Sequence, residues 1–166
     1  MKATVAKWSL VLLCASMGAA IGGGLYEHIV LTPIWAASPP ASFTIIQPDT
    51  GVPLQRFWIP VHAGITVFVL VALFATWKDV KVRRLLIVGL ASYIVMRGWS
   101  GVYFIPEMLA SQQVAPDTPP SAALSERVSR WTGMTVWREP LDVISFLSFS
   151  LALFWQRRIH EKGERV

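Results

Sequence analysis

The chain has 166 residues, of which 54% are hydrophobic and 15% charged, and its formal net charge is +5. A soluble domain carries nearer a quarter charged residues, and this length leaves room for one domain, so the composition favours a single-domain integral membrane protein. Cys14 is the single cysteine. It excludes an intramolecular disulfide, and with it the thiol–disulfide exchange enzymes that need cysteine pairs.

Four apolar stretches along the chain predict four membrane-spanning helices. A helix needs about 20 apolar residues to cross about 30 Å of hydrocarbon. The fourth stretch is the shortest and has to include Trp137 and its neighbours. We therefore predict an all-α fold, an up-and-down four-helix bundle of an integral membrane protein formed by residues 1–166, with helices at about 8–30, 58–77, 85–105 and 137–155.

The first stretch contains Gly18 and Gly22 at the G-x-x-x-G spacing that lets another helix approach closely. The partner is either another helix of the same chain or the same helix of a second copy, which would give a homodimer. A basic start, an apolar run and Gly18-Ala19-Ala20 also resemble a cleaved signal peptide. We favour a retained helix, because the apolar run continues past Ala20 to Leu25.

Basic residues flank alternate ends of the four stretches, so one threading brings ten of the fifteen to the same side. The positive-inside rule then predicts a multi-pass protein of the plasma membrane with both termini in the cytoplasm. Charge arranged in this way is a topology signal and argues against a nucleic-acid partner. The residues are Lys2, Lys7, Lys78, Lys81, Arg83, Arg84, Arg157, Arg158, Lys162 and Arg165.

The segment at about 121–132 is predicted to be an amphipathic helix outside the bilayer. Leu124, Val128 and Trp131 share one face at helical spacing, while Glu126 and Arg130 form an i, i+4 pair on another face. Such a helix either lies on the membrane surface or covers the mouth of the bundle.

Polar residues within the apolar stretches gather in the outer half of the predicted bundle, and all four helices contribute. Arg97 would lie about 12 Å below the outer boundary, where an arginine costs about 2.5–3.5 kcal/mol and needs a partner inside the bundle. Tyr93 lies on the same face, one turn away. The other members of the group are Glu27, His28, His62, Arg138 and Asp142.

Each of these residues also has a purely structural interpretation. Glu27 and His28 can cap the first helix in the headgroup region, and His62 can be an ordinary hydrogen-bonded helix histidine. Arg97 can form a buried ion pair with Glu27 or Asp142. Two side chains can simply reach water: Arg138, by extending to the surface, and Glu107, just beyond the third stretch.

A metal site is weakly supported by the sequence. Glu27, His28 and His62 offer carboxylate and imidazole ligands. Adjacent helical residues point about 100° apart, so Glu27 and His28 do not easily share one ion. The familiar zinc and haem spacings are also missing from the sequence. We therefore predict neither a metal nor another cofactor.

The chain resembles the small four-helix membrane proteins related to fungal anthrone oxygenases. The resemblance depends on Gly24-Leu25-Tyr26 followed by Pro33-Ile34-Trp35, on the outer loop and helix spacing, and on the segment from Trp131 to Arg138 that enters the last helix. The Glu27-His28 pair and the proline-rich first loop are not part of that pattern.

The resemblance implies cofactor-independent oxygenation of a polyphenolic substrate. His62 or Glu27 would remove a proton from the substrate, and Arg97 would stabilise the resulting anion. Tyr26 and Trp35 would flank a flat apolar or aromatic ligand, with His28, Tyr93, Arg138 and Asp142 completing the ligand site. The alternative is a non-catalytic accessory protein of the membrane, or one that binds lipid or quinone.

Overall fold

A computed structural model describes residues 2–163, and within this range the chain is all helical, without a strand. The predicted all-α class is confirmed. Arg165 of the predicted basic residues lies outside the described residues, as do the side chains of Lys2 and Lys162. The α-helices are α1 (Lys2–Tyr26), α2 (Thr32–Trp35), α3 (Gln55–Thr76), α4 (Val80–Trp99), α5 (Ile105–Gln112), α6 (Ala122–Thr135) and α7 (Glu139–Gly163).

Two of the long helices continue through a π-helical turn. Glu27–Leu31 joins α1 to α2, and Ser100–Phe104 joins α4 to α5. Pro33 and Pro106 follow these turns at the same spacing, and the residue before each proline donates its N–H to the carbonyl oxygen of the first π residue. Because proline has no N–H and its ring crowds the preceding turn, the wider turn lets the helix continue.

Three helical runs are long and apolar enough to cross a membrane: Ala3–Trp35, Gln55–Thr76 and Val80–Gln112. The first and third each have 33 residues. At 1.5 Å per residue they are about 50 Å long, well beyond about 30 Å of hydrocarbon, so they are longer than predicted. The fourth predicted span, α7, is not among these three runs, because serines interrupt its apolar residues and charged residues lie at both ends.

The four long helices pack side by side. α1 packs against α3 and α7, and α4 packs mainly against α7. α3 and α4 touch much less, although only Trp77, Lys78 and Asp79 lie between them. The large side chains that are fully buried in the bundle core are Leu10, Leu13, Met17, Ile65, Val69, Val82, Leu86 and Phe149.

Glycines allow two of these helix contacts, but not at the predicted positions. A Cβ atom on Gly89 of α4 would lie 2.5 Å from Cε1 of Phe149 on α7, and one on Gly23 would overlap the ring of Phe57. Gly18 and Gly22 are exposed, and a Cβ on Gly22 would meet nothing within 4 Å. Within the chain, the close approach of another helix to α1 is therefore made at Gly23 and not at Gly18 or Gly22. The homodimer through Gly18 and Gly22 stays a prediction.

A second apolar cluster covers the distal end of the bundle, the end opposite the two termini. This cap cluster consists of buried Trp35, Phe43, Ile46, Phe104, Val128 and Trp131. α6 contributes Val128 and Trp131 from the predicted apolar face, so of the two interpretations of this helix the structure supports a lid.

Ion pairs are found on α6. The predicted pair of Glu126 with Arg130 is present, at 2.9 Å. Glu107 was expected to be solvated; its side chain is partly exposed, at 28%, and it also forms an ion pair with Arg127, because α5 carries it to the side of α6. The hydrogen bond to Glu107 raises the pKa of Arg127 above its usual value. This pair links the lid to the extension of α4.

Candidate functional site

A cavity of about 700 Å³ lies at the distal end, between the bundle core and the cap cluster. Met96, Phe104 and Trp131 contribute apolar walls. Ligand pockets commonly have volumes of about 300–1,000 Å³. Six of the predicted site residues line the cavity: Glu27, His28, His62, Arg97, Arg138 and Asp142.

His62 lies at the centre of a hydrogen-bonded group formed by α3 and α4. Its Nε2 is 3.0 Å from Nη1 of Arg97, and its Nδ1 is 2.8 Å from the hydroxyl of Tyr93. Because a guanidinium can only donate, Nε2 must accept, so this geometry requires a neutral imidazole with its proton on Nδ1. The lone pair of His62 is thus already engaged by Arg97.

Trp58 connects this group to the π turn after α1. Its indole stacks on the imidazole of His62, with centroids 5.4 Å apart and an interplanar angle of 17°. Its Nε1–H donates to Oε2 of Glu27 over 3.0 Å. Glu27 is therefore held towards the cavity by a neutral donor.

Arg138 and Asp142 lie one turn apart at the start of α7. Nη1 of Arg138 donates to Oγ of Ser100 over 3.2 Å, and the guanidinium lies 4.0 Å from the ring centroid of Phe104. Nε of Arg138, Oδ1 of Asp142 and Nδ1 of His28 are buried and have no hydrogen-bond partner among the described residues. Buried polar atoms are nearly always paired in proteins, so these three indicate a missing partner.

Arg97 does not form the ion pair that the sequence suggested. Its partner is His62, and among the side chains that the structure describes, those of residues 3–158, the ion pairs are the two that involve α6. The cavity therefore brings together two guanidiniums and three carboxylates, Glu27, Glu139 and Asp142, without direct contact between the two kinds of charge.

The structure brings Tyr93 to the site only through His62, and it keeps Tyr26 and Trp35 away from the cavity. Tyr26 is 57% exposed. Trp35 is buried in the cap cluster, 5.2 Å from the ring of Trp131. Their role as ligand-flanking residues was an expectation from the family resemblance, and the π turn between them turns the helix so that Tyr26 points outwards and Trp35 into the cap cluster. Nothing in the structure supports their predicted stacking on a ligand.

Sequence reasoning missed several residues of the cavity wall. Trp58 lies one turn before His62, and Glu139 lies three residues before Asp142, so helical spacing from a predicted site residue would have found both. Ser100 lies three residues after Arg97 in the same way. Trp131 was recognised on the apolar face of the amphipathic helix but not as a cavity residue, and Phe104 was not recognised, because the cap cluster that positions both forms only in the tertiary fold.

Metal binding receives no geometric support from the described part of the chain. Among the described side chains, which belong to residues 3–158, no three His, Cys, Asp or Glu residues come close enough to hold an ion. His28 and His62 both line the cavity, but the ring nitrogens of His62 are engaged by Arg97 and Tyr93. The chemistry available at the site is that of acids, guanidiniums and aromatic rings.

Models of known protein families, curated proteins and solved structures were compared with the chain, and none of them matches it.

Proposed function

We propose that the chain is a four-span membrane protein whose distal cavity binds a small aromatic molecule with an acidic hydroxyl and acts on it by proton transfer. The observation that carries this proposal is the cavity itself, where buried Nε of Arg138 and Oδ1 of Asp142 lack partners within the described chain. A ligand that both accepts and donates hydrogen bonds, as a phenol does, would satisfy both atoms.

The surface of α7 supports a fourth membrane span. Its buried side carries Ser145 and Ser148, and the hydroxyl of Ser145 donates to the carbonyl oxygens of Gly89 and Leu141. The exposed side is apolar, including Leu147 at 53% and Leu151 at 49% exposure. A helix with polar groups inside and apolar groups outside suits a hydrocarbon surround, and 25 residues are long enough to cross it.

The orientation is proposed from charge. The basic residues near both termini and in the α3–α4 turn would lie in the cytoplasm, and the cap cluster outside, in a plasma-membrane protein. A second copy could pack on the exposed Gly18 and Gly22 surface.

Thiol labelling tests this topology. In a Cys14→Ser background, Asp49→Cys in the distal loop should react with a membrane-impermeant maleimide on intact cells. Lys78→Cys in the α3–α4 turn should react only after permeabilisation. Both native side chains are exposed, so accessibility within the protein is matched. Labelling of Lys78→Cys alone on intact cells would reverse the orientation, and labelling of both would argue against spanning.

The walls of the cavity favour a flat ring with oxygen substituents. Trp58, Phe104 and Trp131 provide aromatic surfaces, on which a planar ligand packs well. Arg97 and Arg138 provide donors for acidic or carbonyl oxygens.

The catalytic part of the proposal relies on Glu27 as the base. Of the two predicted candidates, His62 has its lone pair engaged by Arg97, whereas the carboxylate of Glu27 accepts one hydrogen bond, from Trp58. Glu27 would take a ring proton, and Arg97 and Arg138 would stabilise the anion. By the resemblance to anthrone oxygenases, a ring CH2 would react with O2 to give a carbonyl and water, without a cofactor.

The second candidate is a non-catalytic lipid- or quinone-binding protein. The pairing of His62 with Arg97 favours it, since a histidine whose lone pair is engaged by an arginine is not free to act as a base and suits a fixed binding wall.

Binding of 2-hydroxy-1,4-naphthoquinone, a flat ring with an acidic hydroxyl, tests the ligand site. Affinity is measured on detergent-solubilised protein by quenching of tryptophan fluorescence. Arg138→Leu should weaken binding by roughly ten- to a hundredfold, as expected for a lost charged hydrogen bond. Arg130→Leu on the exposed face of α6 is the matched control and should change nothing.

Two outcomes of this experiment would count against the ligand site. They are absence of binding to the unmodified protein, and equal affinities of Arg138→Leu and Arg130→Leu. Arg138→Lys, which keeps the charge but loses the planar fork, should lie between the two and guards against misfolding as the cause. Mass spectrometry of molecules that copurify in mild detergent complements the probe.

A further inference from the structure

A groove of about 760 Å³ runs between α3 and α4 beside the cavity. It exists because α3 packs mainly against α1 and α4 mainly against α7, so the two helices leave a seam. Four of its eight lining residues are small or apolar, namely Ala63, Val67, Ile94 and Gly98, and the other four are His62, Thr66, Tyr93 and Arg97. The groove opens outwards beside Val67 and Ile94, which are 54% and 58% exposed. Ala63 and Gly98 are the smallest residues of the lining. In the proposed topology this groove faces the lipid.

His62 and Arg97 separate the groove from the cavity, since both side chains line both spaces. The partition between them is closed by the hydrogen bond from Nη1 of Arg97 to Nε2 of His62, at 3.0 Å. Small rotations of these two side chains would join the two spaces. The guanidinium of Arg97 therefore lies at the inner end of the groove.

From this arrangement we infer that the ligand of the cavity is an amphiphile: its acidic ring lies in the cavity, and its hydrocarbon tail passes between His62 and Arg97 into the α3–α4 groove. The inference deepens the proposed function and rests on it. Charge and polarity support this placement, because an acidic head is attracted to Arg97 and Arg138, while a tail is compatible with Ala63, Val67 and Ile94.

A second route for a tail exists at the distal end. The cavity also reaches the surface near Ile59 and Leu109, which are 67% and 52% exposed. Ile59 and Leu109 line the cavity but not the groove, whereas Arg97 lines both, so an arginine marks only the route into the groove. A tail leaving there would not touch Gly98, so the two routes can be separated by mutation.

Gly98 is the position at which the groove can be blocked without disturbing the fold. A Cβ atom added to Gly98 would meet nothing within 4 Å, so a leucine there projects into open groove. Gly101 is the matched control. It lies on the same helical run, a Cβ there also meets nothing within 4 Å, and it lines neither the groove nor the cavity.

The experiment compares 2-hydroxy-1,4-naphthoquinone with its 3-dodecyl derivative, bound to protein in one detergent. Gly98→Leu should weaken binding of the tailed probe about tenfold or more, as expected for a steric clash. The affinity for the tail-free probe should not change. Gly101→Leu should bind both probes like the unmodified protein. Because each probe is compared across variants, its partitioning into micelles cancels.

Equal effects of Gly98→Leu on the two probes, or no effect on either, would overturn the tail placement. If Leu109→Trp selectively excludes the tailed probe instead, the tail leaves at the distal end. If Arg138→Leu weakens binding of the tail-free probe but Gly98→Leu does not weaken binding of the tailed probe, the proposed function survives and this inference fails. When the tail-free probe does not bind at all, both fail.

Discussion

Glu27→Gln is expected to lower protein-dependent oxygen uptake with an anthrone by about 100-fold or more, while binding of the naphthoquinone probe is kept. Glutamine has the size of glutamate, and its carbonyl oxygen can still accept the N–H of Trp58. It cannot take a proton from a substrate. The expected pattern is therefore loss of kcat with little change in KM, measured with an oxygen electrode after subtracting autoxidation of the anthrone.

His62→Gln provides a contrasting variant in the same group. Removing the imidazole frees Nη1 of Arg97 and leaves the hydroxyl of Tyr93 without its main partner. We expect a smaller loss of rate, about tenfold, together with a change in KM, because the guanidinium is displaced but the base is retained. A larger loss in His62→Gln than in Glu27→Gln would reverse the two assignments.

Glu126→Gln makes the same chemical change at an exposed position. Glu126 lies on the outer face of α6, where its side chain is 73% exposed and pairs with Arg130. A surface pair of this kind contributes little to stability, so the rate should equal that of the unmodified protein. Retention of full rate in Glu27→Gln would contradict a catalytic role for this carboxylate and leave the binding-protein alternative.

The helical class and most of the long helices could be predicted because long apolar stretches leave few choices of structure. Long apolar stretches and separated basic clusters indicated the helices before any packing was considered. The amphipathic helix α6 was predictable from the spacing of Val128 and Trp131, but the spacing did not decide between a helix on the membrane surface and a lid. These patterns did not predict that two helical runs reach 33 residues, more than a helix needs to cross a bilayer. The runs through the two π turns end at Trp35 and Gln112 because tertiary packing in the cap cluster stabilises them.

The site was predicted as a set of residues but not as a set of contacts. Counting residues along each predicted helix from the outer boundary placed Glu27, His62, Arg97 and Asp142 in the same outer half of the bundle. All four line the cavity. Pairing was mispredicted, since opposite charge suggested an acid for Arg97 whereas the structure gives it His62. Which side chains touch depends on helix rotation, and the π turns change that rotation; Pro33 and Pro106, which follow them, can equally well end a helix and so did not predict a π turn.

Trp131→Ala is expected to destabilise the cap cluster by about 3–5 kcal/mol, the usual cost of truncating a buried tryptophan. Trp131 is 6% exposed and contacts the rings of Trp35 and Phe104 edge-on, with ring centroids 5.2 and 5.6 Å apart. Its Nε1–H also donates to the carbonyl oxygen of Phe104 over 3.1 Å. Alanine removes both ring contacts and leaves a buried carbonyl without this donor.

Because the bundle core does not include Trp131, unfolding should begin in the cap and leave the long helices intact. Trp131→Ala should therefore increase proteolysis around residues 113–121 and weaken binding of the naphthoquinone probe at least about tenfold. The helical circular dichroism signal should stay nearly unchanged. Trp137→Ala, at a tryptophan 70% exposed, is the matched control and should change neither. If α6 instead lay on the lipid surface, Trp131→Ala would loosen its attachment to the membrane without altering probe affinity. A fall in affinity therefore identifies the helix as the roof of the cavity.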